Sequence, residues 1–184
     1  MTSIKNSEIL IDKFIKTTIN LKKIPRQGWK NKLGITNPES VADHCFSMSV
    51  IAMVLSDLQN LDTTKVLKMS LMHDLAESFT GDLTTDKISK KEKEKLENET
   101  MKKIFNNLPN ILAKKYLSIW NEYQKRQTDE AVFLHEVDKL EMAFQANVYA
   151  KEGIQKQTLQ PFFDTAKNEI KNKRLMEILS KLSQ

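Results

Sequence analysis

The sequence is poor in the residues that punctuate strands and turns. It holds 4 glycines and 4 prolines in 184 residues, about a third of the roughly 12% that the two supply in average proteins. That scarcity argues against many short strands and favours long helices. There is one cysteine, Cys45, which excludes an intramolecular disulfide and fits a reducing compartment. No run of 18 apolar residues occurs, which excludes a membrane-spanning helix. The first 21 residues mix Lys5, Glu8, Asp12 and Lys13 among their apolar residues, unlike a secretion signal, so cytoplasmic residence is the expectation. A dominant charge is missing too: 29 Lys+Arg against 24 Asp+Glu leave only +5, and Arg26, Arg126 and Arg174 are the sole arginines. From Asp86 to Lys103 seven lysines interleave with five carboxylates, and no aromatic stands among them. This is the pattern of a solvated helix face rather than of a nucleic-acid surface, and no stable nucleic-acid partner is expected.

What is present is a globular composition, 40% hydrophobic and 29% charged. No repeat or Gly/Pro-rich linker divides residues 1–184, so one all-α domain is expected. Apolar spacing predicts a helix over 7–22 and an irregular stretch from Pro25 to Pro38. A helix over 41–58 should follow, opened by Ser40 with Asp43 as a capping box. Asp62 caps a third helix that should run to Thr80-Gly81, followed by a loop from Phe79 to Ile88. Ser89 with Glu92 opens a fourth helix to about Asn107, and a fifth covers about 110–125. Thr128 caps a sixth to about Lys151, and a C-terminal helix covers about 161–182.

The chemistry sits around three histidines, His44, His73 and His135. His73 and Asp74 are adjacent and Glu77 lies four residues after His73, so one helical turn gathers all three. Imidazole nitrogen with carboxylate oxygen suits a divalent cation such as Mn, Co, Zn or Fe. His44 and Asp138 could add ligands if a bundle brings their helices against the third. His135 lies one turn before Asp138 and is read as a non-ligand. Taken singly, Trp29 reads as a core anchor and Arg26 as a surface charge. Trp120 and Tyr123 read as packing of the fifth helix, and Met48, Met53, Met69 and Met72 as core filling.

In combination, PESVADH with His44, HDLAESFTGD with His73 and Asp74, and VDKLEM with Asp138 resemble the H…HD…D signature of HD-domain phosphohydrolases. With PRQGW at Pro25 to Trp29, the chain from about Phe14 to Tyr149 resembles the 5'-deoxynucleotidase branch. The resemblance implies an all-helical HD fold, usually a homodimer. It also implies one divalent ion (Mn, Co, Zn, Fe or Mg) on His44, His73, Asp74 and Asp138, and release of phosphate from deoxynucleoside 5'-monophosphates. Glu77 matches the family's acid/base glutamate and Asp82 a family position beside the substrate. Arg26 and Trp29 match substrate-binding positions, although Gln27 and Gly28 separate a pair that some members carry adjacent. The alternatives are an HD hydrolase of triphosphates or cyclic phosphodiesters, and a non-enzymatic nucleotide-binding scaffold. PRQGW favours the monophosphatase.

Overall fold

The computed structural model describes residues 2–84 and 88–183. Ten α-helices form among them: α1 Thr2–Asn20, α2 Gln27–Leu33, α3 Val41–Asp57, α4 Thr63–Met72, α5 Glu77–Thr80, α6 Lys90–Phe105, α7 Asn110–Lys125, α8 Asp129–Lys151, α9 Lys156–Glu169 and α10 Lys173–Ser180. No strand occurs among the described residues. A lone antiparallel bridge pairs Pro25 with Ser40. No described helix is long and apolar enough to cross a membrane.

The expected caps open the helices at the core. Ser40 and Asp43 exchange bonds at the start of α3, Ser89 and Glu92 do so for α6, and Thr128 caps α8. Each reciprocal box satisfies two N–H groups that a helix start otherwise leaves unpaired. Helix α8 is the axis of the molecule, with α3, α4, α7, α9 and α10 packed on it. Its Ala131, Leu134, Val137, Leu140, Ala143 and Ala146 are buried on more than one side. The small residues let neighbouring helices approach, and each large one contributes about 1.5–3 kcal/mol by leaving water. Buried Ser49 and Ser70 share a 2.9 Å hydrogen bond that locks α3 to α4. A smaller apolar cluster gathers Trp29, Tyr149, Leu159 and Phe162 where α2 meets α8 and α9.

Several expectations are corrected. The first helix is Thr2–Asn20 with a 3-10 turn at Leu21–Lys23, and the stretch after Pro25 contains α2, which ends on Gly34 at φ 67°. The third helix stops at Met72 rather than at Thr80. The His73 ring bonds the Ser70 carbonyl at 2.7 Å. From there the chain tightens into i→i−3 bonds, Leu75 to Met72, Glu77 to Asp74, Ser78 to Leu75 and Phe79 to Ala76. Of the expected Phe79–Ile88 loop, Phe79 and Thr80 finish α5, and Thr85, Asp86 and Lys87 lie outside the described residues. The C-terminal helix is two helices: α9 starts before Pro161, and the Asn172 side chain caps α10 by accepting from Arg174 and Leu175. Met48, Met69 and Met72 are buried, but Met53 is 39% exposed and is not core filling.

Candidate active site

His44 stands in the first turn of α3, fixed by the Ser40 capping box. The Pro25–Ser40 bridge brings the N-terminal segment alongside: Arg26 N–H donates to the Glu39 carbonyl at 3.0 Å and Val41 N–H to the Ile24 carbonyl at 2.8 Å. His73 and Asp74 come from the tightened turn after α4, and Asp138 from the middle of α8. Donor atoms of His44, His73 and Asp74 lie within 4.8 Å of one another. His44 Nε2 is 3.3 Å from His73 Nε2, 3.3 Å from Asp138 Oδ1 and 3.8 Å from Asp74 Oδ2. His73 Nε2 is 3.1 Å from Asp74 Oδ2.

The outer ring nitrogens fix the tautomers. His73 Nδ1–H donates to the Ser70 carbonyl at 2.7 Å and His44 Nδ1–H to Glu141 Oε2 at 2.6 Å. Both Nε2 lone pairs therefore aim at the same point, the arrangement that orients metal-binding histidines. Burial and Arg26 oppose charge on His44, but the neighbouring Asp138 and Glu141 carboxylates raise its pKa. Burial opposes charge on His73 as well, and Asp74 lifts it well above the usual imidazole value. Burial would raise both aspartates, yet His73 and Arg26 hold Asp74 far below the carboxylate range, while Lys139 and His44 do so for Asp138. Two imidazoles drawn toward positive charge between two firmly ionised carboxylates form a donor set that fits a divalent cation.

A cavity of about 220 Å³ opens on this cluster, lined by Arg26, His73, Asp74, Glu77, Asp82, Lys93, Arg126, His135, Asp138 and Lys139 among others. Arg26 Nη1 lies 3.4 Å from Asp74 Oδ2. Burial works against the guanidinium's charge, but the ring of Asp74, Asp138, Asp82 and Glu77 raises its pKa. Glu77 is buried and its Oε2 has no hydrogen-bond partner. Burial first, then Asp74 and Asp82, push its pKa well above the usual value. A carboxyl shifted in that direction holds its proton more readily than an exposed one, as suits an acid/base group. Asp82 Oδ2 accepts the Gln27 N–H at 2.7 Å and so caps α2 from across the cavity, because Arg26 provides no side-chain cap of its own.

Trp29 does not line this cavity. At 2% exposure it packs 4.3 Å from the Phe162 ring centroid and edge-on to Tyr149, while its Nε1–H donates to Glu39 Oε1 at 2.8 Å. It borders an adjoining cavity of about 250 Å³ that shares Arg26, Asp82 and Lys139 with the first. His135 stacks on Tyr123 at 4.1 Å and donates to the Tyr123 carbonyl at 3.1 Å. Trp120 and Tyr123 are core residues of α7. A larger groove of about 680 Å³, between α3 and α8, lies outside the histidine cluster. Glu141, which orients His44, and Lys93 were missed as site residues. The signal for Glu141 was its place one turn after Asp138 in VDKLEM, whereas nothing distinguished Lys93 inside its lysine-rich run.

A family model described as HD domain matches residues 19–179. The chain is 35% identical over 170 residues to the Homo sapiens 5'-deoxynucleotidase HDDC2, covering 92% of this chain and 82% of that protein. It is 39% identical over 165 residues to the Dictyostelium discoideum 5'-deoxynucleotidase HDDC2, covering 84% and 86%. Among solved structures it resembles the PH0347 protein from Pyrococcus horikoshii OT3, with a TM-score of 0.79, 31% identity, and 92% of this chain and 96% of that chain covered.

Proposed function

The chain belongs to the HD-domain family, and from that premise we propose that it hydrolyses deoxynucleoside 5'-monophosphates to nucleoside and phosphate. The observation that carries the reading is the meeting of His44, His73 and Asp74 within 4.8 Å beside a cavity that also holds Arg26, Glu77 and Asp138. Relatives named 5'-deoxynucleotidase match over most of the chain.

His44, His73, Asp74 and Asp138 would hold one divalent ion, which when bound neutralises phosphate charge and acidifies water. Arg26, already inside the cavity, offers its guanidinium fork to phosphate oxygens. Glu77 exchanges a proton with the attacking water or the departing 5'-oxygen, since its burial keeps the protonated form accessible. Asp82 keeps the PRQGW segment against the cavity and leaves an oxygen for a sugar hydroxyl. Trp29 bears on the substrate through the adjoining cavity, whose Phe162 and Met142 offer an apolar end for sugar and base.

We take residues 1–184 as one domain, because α9 and α10 both pack on α8. A homodimer is the expected assembly. Helix α3 presents Phe46, Val50 and Val54, and α8 presents Phe144 and Val148, all exposed, at the four-residue spacing of a helix face that covers a partner. Cytoplasmic residence accords with a single, buried, unpaired Cys45.

The deciding assay is phosphate release from ribo- and deoxyribonucleoside 5'-monophosphates, 3'-monophosphates and triphosphates. It uses chelated protein resupplied with Mn, Co, Zn, Fe or Mg. Metal-dependent release from 5'-deoxynucleotides supports the reading. Release confined to triphosphates overturns the substrate class, and silence with every metal overturns the enzyme.

A further inference from the structure

Lys90 and Lys93 of the charged run both line the site cavity, but they differ in what they meet. Lys90, Lys91 and Lys95 have no carboxylate within 4.0 Å among the described residues, whereas Lys93 Nζ lies 3.7 Å from Glu77 Oε1 and 3.6 Å from Glu97 Oε1. The same ammonium donates to the Leu83 carbonyl at 2.9 Å. The local structure explains the reach. The Ser89–Glu92 capping box fixes the start of α6, and a side chain one turn in leans back toward the helix N-terminus, which here faces residues 81–84. Glu97, one turn further on, steadies the ammonium from behind.

The two groups that Lys93 touches both need holding. Gly81 sits at φ 70° and ψ 171°, a backbone conformation open essentially to glycine, so the turn that carries Asp82 gains little rigidity from its own sequence. Asp82 is tied on one side to the Gln27 N–H, and the next residue's carbonyl is tied to Lys93 on the other. Glu77 has one buried oxygen without a partner, and Lys93 is the only cation within 4.0 Å of its other oxygen among the described residues. An isolated surface Lys–Glu pair is worth little. An ammonium that joins a buried carboxyl to a loop carbonyl instead fixes two site elements relative to each other.

We propose that Lys93 is a positioning residue that holds the Glu77 carboxyl and the Asp82-bearing turn in register against the phosphate. This rests on the nucleotidase reading, so the test has two readouts. Steady-state kinetics of Lys93→Met should show kcat lower by about tenfold to a hundredfold, with KM within about threefold, and Lys93→Arg should recover most of the loss. Metal content and melting temperature should match the parent protein. Independently of turnover, hydrogen exchange at the amides of residues 81–83 should quicken by about tenfold in Lys93→Met, while the α8 amides stay as they were. A parent protein that releases no phosphate overturns the nucleotidase reading, and the exchange result then decides the positioning alone. Lys93→Met with kcat within twofold, a loss confined to KM, an equal loss in both variants with lowered stability, or unchanged exchange would each overturn the proposal.

Discussion

His44 Nε2 and His73 Nε2 face each other at 3.3 Å, with the opposite nitrogen of each ring committed, one to Glu141 and one to the Ser70 carbonyl. Two lone pairs so aimed repel unless positive charge sits between them, and Asp74 and Asp138 close the remaining sides. The pair should therefore bind Mn or Co with a rise in melting temperature, corresponding to about 2.7 kcal/mol at a hundredfold excess over Kd. His73→Ala should abolish both the shift and phosphate release. Glu141→Gln, which leaves His44, His73, Asp74 and Asp138 unchanged, should weaken metal binding by about tenfold to a hundredfold. Metal titration followed by calorimetry checks both, and a Glu141→Gln protein with parental affinity would remove Glu141 from the account.

Glu77 should separate chemistry from metal retention. Its carboxyl lies 3.7 Å from Lys93 and, among the described residues, pairs with neither histidine, unlike those of Asp74 and Asp138, so Glu77→Gln should keep parental metal content by elemental analysis. Its kcat should fall by about a hundredfold or more, the usual scale for a lost acid/base group. Metal loss in that variant would make Glu77 a ligand instead.

Trp29 carries structural weight as well as its place beside the second cavity. Its contacts with Phe162 and Tyr149 and its bond to Glu39 predict that Trp29→Ala loses about 3–5 kcal/mol in urea unfolding. Trp29→Phe should lose less, about 1–3 kcal/mol, because an aromatic ring remains in the cluster, leaving a small void and a Glu39 carboxyl without its donor.

His135 gives a pH dependence of defined sign. Burial and the nearby Arg126 lower its pKa to about 4 in the folded protein, whereas an unfolded chain takes up that proton near the ordinary imidazole value of about 6.5. Between those values the unfolded state binds more protons, so stability falls as pH drops from about 6.5 to about 4. The loss is on the order of 2–3 kcal/mol, from the linkage relation. Denaturation midpoints across that window should decline less in His135→Gln than in the parent. Parallel declines would mean that His135 titrates normally.

Local signals carried much of the reading. Ser40 with Asp43, Ser89 with Glu92, and Thr128 mark helix starts through bonds between residues three apart, so α3, α6 and α8 begin where the sequence places them. The end of α4 was not legible, because it depends on the His73 ring taking the Ser70 carbonyl. The same holds for the break at Asn172: its backbone N–H donates to Glu136 Oε2 at 2.8 Å, a partner on α8.

An all-helical chain and its principal helix starts were legible in the residues alone, and the ordered motifs singled out His44, His73, Asp74 and Asp138, whose side chains the fold brings near one another. Capping, apolar period and ordered motifs all act over a few residues of chain. Long-range packing was needed to set Glu141 against His44, Asp82 on the start of α2, Trp29 in an aromatic cluster and Lys93 beside Glu77. Each of those roles joins residues from different elements. A helical period says which face a side chain occupies, and only packing decides what that face meets.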